Sequence, residues 1–482
     1  MSAAGRYAAA LLAEAGAEDA PPPVLPEEDP AAAWARSGAL GLTGREWGPP
    51  LLPSAPLPTC AEGALAALCA LSPNMAPQMR GRGGALLAER AAAAGLRRRG
   101  RTAPGGSCRL LPAAAGTGWL AVNLPRGAED ARLLPAWLGC APGAHPWRAL
   151  AEALAETPRP RALSRARLLG LPVAPADPPE APPAPETAGE VRMAGGQPAH
   201  SAVGEAHGEA RMTKGARAQP AARGGESCAN GGARDSRWRG RPWLRRLRCG
   251  ERSAPRAPRG VRVVDLTALW AGPLCGRLLA QAGAQVLKLE SAGRPERPAQ
   301  PAFYAALNAC KRRRVLNFGS AGGRAALRRA IGEADVVIES TRPRALAQLG
   351  VDAERWIAAR PGRTWCSITG YGRAAPQCNW VALGDDAAAA AGLCWCLPPA
   401  EAPLFVADAA ADPLGGVHAA LAICAALRRG GGELLDVSLC AAAARCIRFA
   451  AQAPCRGEII ASRGGALLRT AAGEEHAIAP PH

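Results

Sequence analysis

Aromatic side chains are scarce in this 482-residue chain, at 4% with only four Phe and three Tyr. Its apolar bulk is therefore alanine and leucine with a small set of Trp. Enrichment in Ala, Arg, Gly and Pro together resembles the bias of a GC-rich genome, so helix readings based on alanine are discounted. Long apolar runs are missing as well. None reaches the roughly 18–20 uncharged residues of a membrane span, so no spanning helix is expected. The opening MSAAGRYAAALLAEAGAEDA is interrupted by Arg6 and Glu14, which argues against a signal peptide. Cysteine is present, with 16 residues, but no zinc or disulfide spacing is. Cys394 and Cys396 are the closest pair, and no CxxC or His cluster accompanies them. Cys69 in LAALCAL and Cys424 in ALAICAAL lie in apolar runs, where free Cys behaves as a small hydrophobe. A reducing, cytoplasmic location is the expectation.

The charge is one-sided and uneven. Residues 181–260 hold 15 Lys and Arg against 7 Asp and Glu, nearly half of the net +18. The remaining excess is diffuse, which fits a polyphosphate ligand better than nucleic acid. APADPPEAPPAPETAGE, which leads into that segment, and the Gly, Ala, Arg and Ser mixture after it lack the hydrophobic density to offset ordering entropy. Arg237, Arg239, Arg241, Arg245, Arg246 and Arg248, with Trp238 and Trp243, offer phosphate contacts and stacking, but the simpler reading is a solvated basic linker. The expected division is an N-terminal tail over 1–29, a unit over 30–178, a flexible linker over 179–258 and a main domain over 259–482.

From residue 260 the pattern sharpens. VRVVDLT (261–267), QVLKLE (285–290), DVVIES (335–340) and TWCSITG (364–370) are short β-branched runs separated by helical segments such as AGPLCGRLLAQAGA. Alternation of this kind predicts an α/β fold with a parallel, doubly wound, Rossmann-like sheet in the C-terminal half. Ligands bind beyond the carboxyl ends of such strands. A smaller α+β domain is expected in the N-terminal half.

The motif order resembles the family III CoA-transferases, the group with formyl-CoA and carnitine CoA-transferases and alpha-methylacyl-CoA racemase. RVVDLTALWAGPLCGRLLAQAGAQVLKLE resembles their opening, YAALNACKRR (304–313) their CoA-binding segment, and DVVIESTRPRALAQLG (335–350) their strand and Arg-Pro loop. WCSITGYGR (365–373) resembles their Ser-Ile-Ser-Gly-Tyr-Gly turn, and ADPLGGVHAALAICAALRRGGGELLDVSL (411–439) the helix bearing the catalytic Asp. Upstream, CRLLPAAAGTGWLAVNL (108–124) and RALSRARLLGLPVAPADPP (161–179) resemble the family's small domain. Residues 37–71 parallel 391–427 as an imperfect repeat. Aligning Gly63 with Gly416 places Thr59 opposite Asp412, so the first copy reads as degenerate.

The resemblance implies that coenzyme A is a substrate, with no permanently bound cofactor and no metal. Acyl-CoA and a carboxylic acid would be the partners, in a homodimer without membrane or nucleic-acid binding. Asp412 is the candidate nucleophile, with Asp408 as the alternative because Ala-Asp recurs. Asp-Pro at a helix start predicts an N-cap carboxylate with Pro413 following, in the field of the helix dipole. Trp270, Ala271, Asn308, Lys311 and Arg342 are the candidate CoA contacts. Two departures stand out. Ser291 occupies a position commonly basic, with Arg294 nearby, and Asp385 occupies the His position of the Gly-His-Asp turn. The racemase pair is thus incomplete, His418 reads as a packing residue, and transfer is favoured over racemisation or a non-catalytic acyl-CoA-binding role.

Overall fold

The computed structural model describes residues 1–75, 79–140, 145–179, 240–293, 300–398, 401–462 and 465–481. Most of the expected linker, with Trp238, Arg237 and Arg239, lies outside the described residues, as does Arg294. In chain order the strands are β1 (Cys108–Pro112), β2 (Trp119–Asn123), β3 (Val173–Pro175), β4 (Leu244–Arg248), β5 (Arg262–Asp265), β6 (Gln285–Ser291) and β7 (Arg312–Leu316). They continue with β8 (Val336–Glu339), β9 (Thr364–Thr369), β10 (Glu433–Ser438), β11 (Gly457–Ser462), β12 (Gly465–Thr470) and β13 (Glu475–Ala477).

The main sheet runs β4-β10-β9-β8-β5-β6-β7. All its pairings are parallel except β4 with β10. The chain leaves β5 toward β6 and β7, then returns to the other side of β5 as β8. The β5/β8 boundary is therefore the topological switch point, where a ligand crevice is expected at the carboxyl ends. The buried runs Val263–Val264 and Val336–Ile338 supply the central strands, as a sheet covered on both faces requires. Beyond these, Ser367 Oγ donates to Glu339 at 2.5 Å and the Arg373 N–H to Asp436 at 2.8 Å, tying adjacent strand ends together.

A second, antiparallel sheet, β1-β2-β3, packs with the helices Pro146–Ala155 and Arg159–Leu169. Leu120, Val122, Trp137, Leu150, Leu154 and Leu163 form its own core. A third sheet, β11-β12-β13, follows at the C-terminus.

Two expectations change. Residues Ala3–Glu14, read as part of a tail, form a helix whose Tyr7, Ala8, Leu11 and Leu12 are buried in the main core. Tyr7, Leu11 and Leu12 recur at helical spacing and carry its buried face. Leu244–Arg248, read as the end of the linker, is an edge strand whose Arg245, Arg246 and Arg248 are exposed, a common protection of a sheet edge. Trp243 is buried there, its indole donating to Glu14, so it is no stacking platform. The N-terminal half carries the small antiparallel sheet β1-β2-β3 beside its helices, as the α+β expectation has it.

The Leu57–Leu71 helix packs beside the Ala411–Arg428 helix. Their aligned glycines both face a crossing carbonyl. A Cβ at Gly63 would lie 2.5 Å from Ala4 O, and one at Gly416 would lie 2.6 Å from Ala271 O. Among the described residues, no helix is long and apolar enough to cross a membrane.

Candidate active site

Asp412 lies in the first turn of the Ala411–Arg428 helix, as its second residue and not its cap. The preceding turn makes the difference. Ala407 and Ala409 adopt left-handed backbone, with φ of 56° and 44°, an uncommon conformation that costs energy in a residue with a Cβ. That turn starts the helix two residues earlier than an Asp412 cap would and sets Asp408 and Asp412 on different neighbours.

Asp408 is wholly buried and bound to Arg90, whose Nε and Nη2 donate to its two oxygens at 2.7 and 2.5 Å. A two-pronged pair of this type is among the strongest polar contacts available. Asp412 faces the start of the Gly384–Ala390 helix. A Cβ at Gly384 would lie 2.6 Å from Asp412 Oδ2, so only glycine allows the carboxylate this close. The same helix presents Asp385, whose Oδ1 accepts from the Ala409 N–H at 2.9 Å and whose Oδ2 lies 3.9 Å from Arg90 Nη2. Asp386 accepts from Asn123 Nδ2 on β2 at 2.9 Å and from the Leu383 N–H at 3.1 Å, while its Oδ2 is buried without a partner.

Burial is the main influence on these acids, because the charged form loses its solvation. It pushes the Asp412 carboxyl up to about 7, against the Arg90 guanidinium and the Gly384 N–H, with Asp385 and Asp408 adding to the rise. Asp385 is pushed up to about 6 by burial, opposed by Arg90. Asp386 rises to about 8, again through burial, which Asn123 and the Leu383 N–H only partly offset. Asp412 and Asp385 thus exchange protons near neutral pH, the range useful for a nucleophile or a general base.

The remaining candidates divide between this site and the scaffold beneath it. Trp270 is buried, packs edge-on against Phe303 at 5.1 Å and carries the Arg90 guanidinium over its ring at 5.3 Å. It thereby joins the end of β5 to the carboxylate cluster. Ala271 opens the Ala271–Gln281 helix and is the residue whose carbonyl meets Gly416. Leu269, just before, is 57% exposed with φ 68°.

Lys311 does not stand in the open as a phosphate-binding cation. Its side chain is buried, and Nζ donates to Asp265 Oδ2 at 2.8 Å, to Pro273 O at 2.8 Å and to Asn308 Oδ1 at 2.9 Å. All three ammonium donors are used inside the protein. Asn308 is buried too, its amide donating to Tyr304 O. Both hold the first turn of the Ala271–Gln281 helix against the end of β5. Arg342 precedes the Pro343–Gln348 helix at the end of β8, across the switch point, with its guanidinium beside Gly170. Ser291, where a basic residue was expected, ends β6.

His418 is buried between Tyr7 and Trp243, its Nδ1 donating to Leu414 O at 2.7 Å and its Nε2 accepting from Tyr7 at 3.1 Å. Burial holds it down at about 4, so it stays neutral in the core. Among the described residues, no group of His, Cys, Asp and Glu is arranged to hold a metal ion.

Sequence reasoning did not find Arg90 or Asn123, which come from the N-terminal half. Arg90 sits in AERAAAAG, an ordinary helical segment with no local sign of a partner 318 residues away. Asp385 was noticed only as a departure.

Residues 259–476 match the family model of CoA-transferase family III. The chain is similar to the succinate–glutarate CoA-transferase of Agrobacterium fabrum, 32% identical over 200 residues, which cover 37% of this chain and 50% of that one. It is also similar to the succinyl-CoA–D-citramalate CoA-transferase of Chloroflexus aurantiacus, at 28% identity over 39% of this chain and 51% of that one. The formyl-CoA:oxalate CoA-transferase of Escherichia coli is 30% identical over 37% of this chain and 47% of its own length. Among solved structures, a CaiB/BaiF family protein from Brucella suis is 26% identical with a TM-score of 0.40, over 45% of this chain and 66% of that one. The chain spans about half the length of the curated relatives it matches.

Proposed function

We propose that this chain moves coenzyme A between an acyl-CoA thioester and a carboxylic acid, with Asp412 as the covalent nucleophile. The observation that carries the reading is the position of Asp412. It is a buried carboxylate, close to the Gly384 N–H, on the helix that packs against the end of β5 through Gly416 and Ala271. The transferase names of the relatives support it.

In the reaction, an Asp412 oxygen attacks the thioester carbonyl and the C–S bond breaks, releasing CoA thiolate and leaving a mixed anhydride. The thiolate then attacks the aspartyl carbonyl. The C–O bond breaks, the donor acid departs, and an aspartyl-CoA thioester remains. The acceptor carboxylate repeats the sequence in reverse, which restores Asp412. Trp270 and Ala271 flank the nucleotide side of the crevice, and Arg342 is the cation for phosphate. Lys311 and Asn308 act from beneath, by fixing the turn on which Trp270 stands.

A second reading has one observation in its favour. Asp385 and Asp412 both change charge near neutral pH, as two bases of a racemase must. Incubation with 2-methylacyl-CoA in deuterated water distinguishes them, because only racemisation exchanges the α-proton. For transfer, the test is a CoA exchange assay with succinyl-CoA and glutarate. Formation of glutaryl-CoA supports the reading, and its absence across a panel of CoA esters and acids overturns it.

A further inference from the structure

Four carboxylates, the nucleophile among them, crowd one junction: Asp385 and Asp386 on the Gly384–Ala390 helix, with Asp408 and Asp412 before and within the Ala411–Arg428 helix. All four are buried. Among the described residues, Arg90 is the one cation within ion-pair distance of any of them. It comes from the short Glu89–Ala94 helix of the N-terminal half, outside the segment that matches the family. Two consecutive residues lock this helix in place. Glu89 accepts twice from Arg277 Nη2, at 2.9 and 2.8 Å, while Arg90 grips Asp408 and lies over Trp270.

We propose that Arg90 is a positioning residue of the reaction: by pinning Asp408 with both prongs of its guanidinium and stacking on Trp270, it leaves Asp412 as the carboxylate free to attack. The N-terminal half thus completes the catalytic site. The geometry explains why Asp408 and Asp412, four residues apart in similar local sequence, have different roles. Asp408 has its two oxygens committed to one cation. Asp412 has its oxygens against the Gly384 backbone, with Arg90 close enough to favour its charged form. Lysine cannot reproduce this, because one ammonium cannot span two carboxylate oxygens and a ring face together.

The groups that face Asp412 are Arg90, Asp385, Asp408 and the Gly384 N–H. Those around Asp385 are Arg90, Asp408 and the Ala409 N–H, with the Cys108, Cys394 and Asp386 side chains beyond. Removing Arg90 therefore leaves Asp412 among acids, with the Gly384 N–H as its remaining donor.

The inference rests on Asp412 being the nucleophile, so its test reads the carboxylate directly as well as through turnover. The full chain, Arg90→Met and Arg90→Lys are labelled at the Asp carboxyl carbons with ¹³C. Each is titrated by NMR from acid to alkaline pH, with Asp412→Asn assigning the signal. In Arg90→Met the Asp412 midpoint should move alkaline by about one unit or more, the scale of losing a neighbouring opposite charge. With succinyl-CoA and glutarate, kcat near neutral pH should fall about tenfold or more while KM for succinyl-CoA holds within about twofold. In Arg90→Lys the midpoint should stay close to the parent while kcat still falls.

An unmoved midpoint in folded Arg90→Met overturns the proposal. If Arg90→Met does not fold, unchanged kcat in Arg90→Lys overturns it instead. If the parent chain transfers no CoA, the transferase reading falls, and the Asp412 midpoint still decides what Arg90 does.

Discussion

Lys311 Nζ lies 2.8 Å from Asp265 Oδ2, with both side chains wholly buried. A buried pair is costly to break on one side, about 3–5 kcal/mol, since the surviving charge is left without a partner. Lys311→Met should therefore lower unfolding free energy on that scale, measured by urea denaturation. The CoA affinity of the folded fraction should change little. Full stability with lost CoA binding would instead return Lys311 to the ligand.

Transfer should rise with pH through about 7, because burial holds Asp412 protonated below that point and only the carboxylate attacks. The check is a pH series of the rate of covalent labelling by succinyl-CoA in single turnover. A rate already at its plateau at pH 5 would contradict the buried, proton-holding site.

Asp386 gives a prediction about stability. Its carboxyl is raised to about 8, so the folded state holds a proton that the unfolded chain releases near 4. That contribution is fully present below about pH 4 and is lost progressively as pH climbs to about 8. Asp386→Asn mimics the protonated form. The variant should match the parent at pH 3 and exceed it at pH 9, by a margin that grows at about 1.4 kcal/mol per pH unit between about 4 and 8. Thermal melts at the two values read this out, and equal melts at pH 9 would count against it.

Arg342 is the candidate cation across the switch point from Trp270. Arg342→Ala should weaken CoA binding by about 1–3 kcal/mol, the scale of a charged hydrogen bond, as read by calorimetry. Binding of dephospho-CoA by the same variant shows which phosphate it meets. Unchanged affinity for both would remove Arg342 from the site.

Much of the sheet was legible because its central strands are buried on both faces and read as β-branched runs. VRVVDLT and DVVIES announce β5 and β8 in this way. The edges were not legible. Leu244–Arg248 and Arg312–Leu316 carry three exposed arginines each, so the first read as linker and the second as part of a charge run.

The site was half legible for a related reason. Asp-Pro-Leu-Gly-Gly marks a helix start and a close approach, both local properties. Lys311 beside three exposed arginines read as a cation for CoA, since its burial depends on Asp265, 46 residues earlier. Arg90 and Asp408 are 318 residues apart. No local pattern connects them, and only the fold brings them together.

The central claim is that Asp412 carries the acyl group or CoA during turnover. The most direct measurement is incubation with succinyl-CoA, trapping with hydroxylamine and peptide mapping by mass spectrometry, in the parent, Asp412→Asn and Asp408→Asn. The account predicts an aspartyl hydroxamate at Asp412 in the parent and none in Asp412→Asn. Folded Asp408→Asn should retain the label, though it should be less stable because Arg90 loses its partner. A hydroxamate at Asp408, or transfer that survives Asp412→Asn, would contradict it.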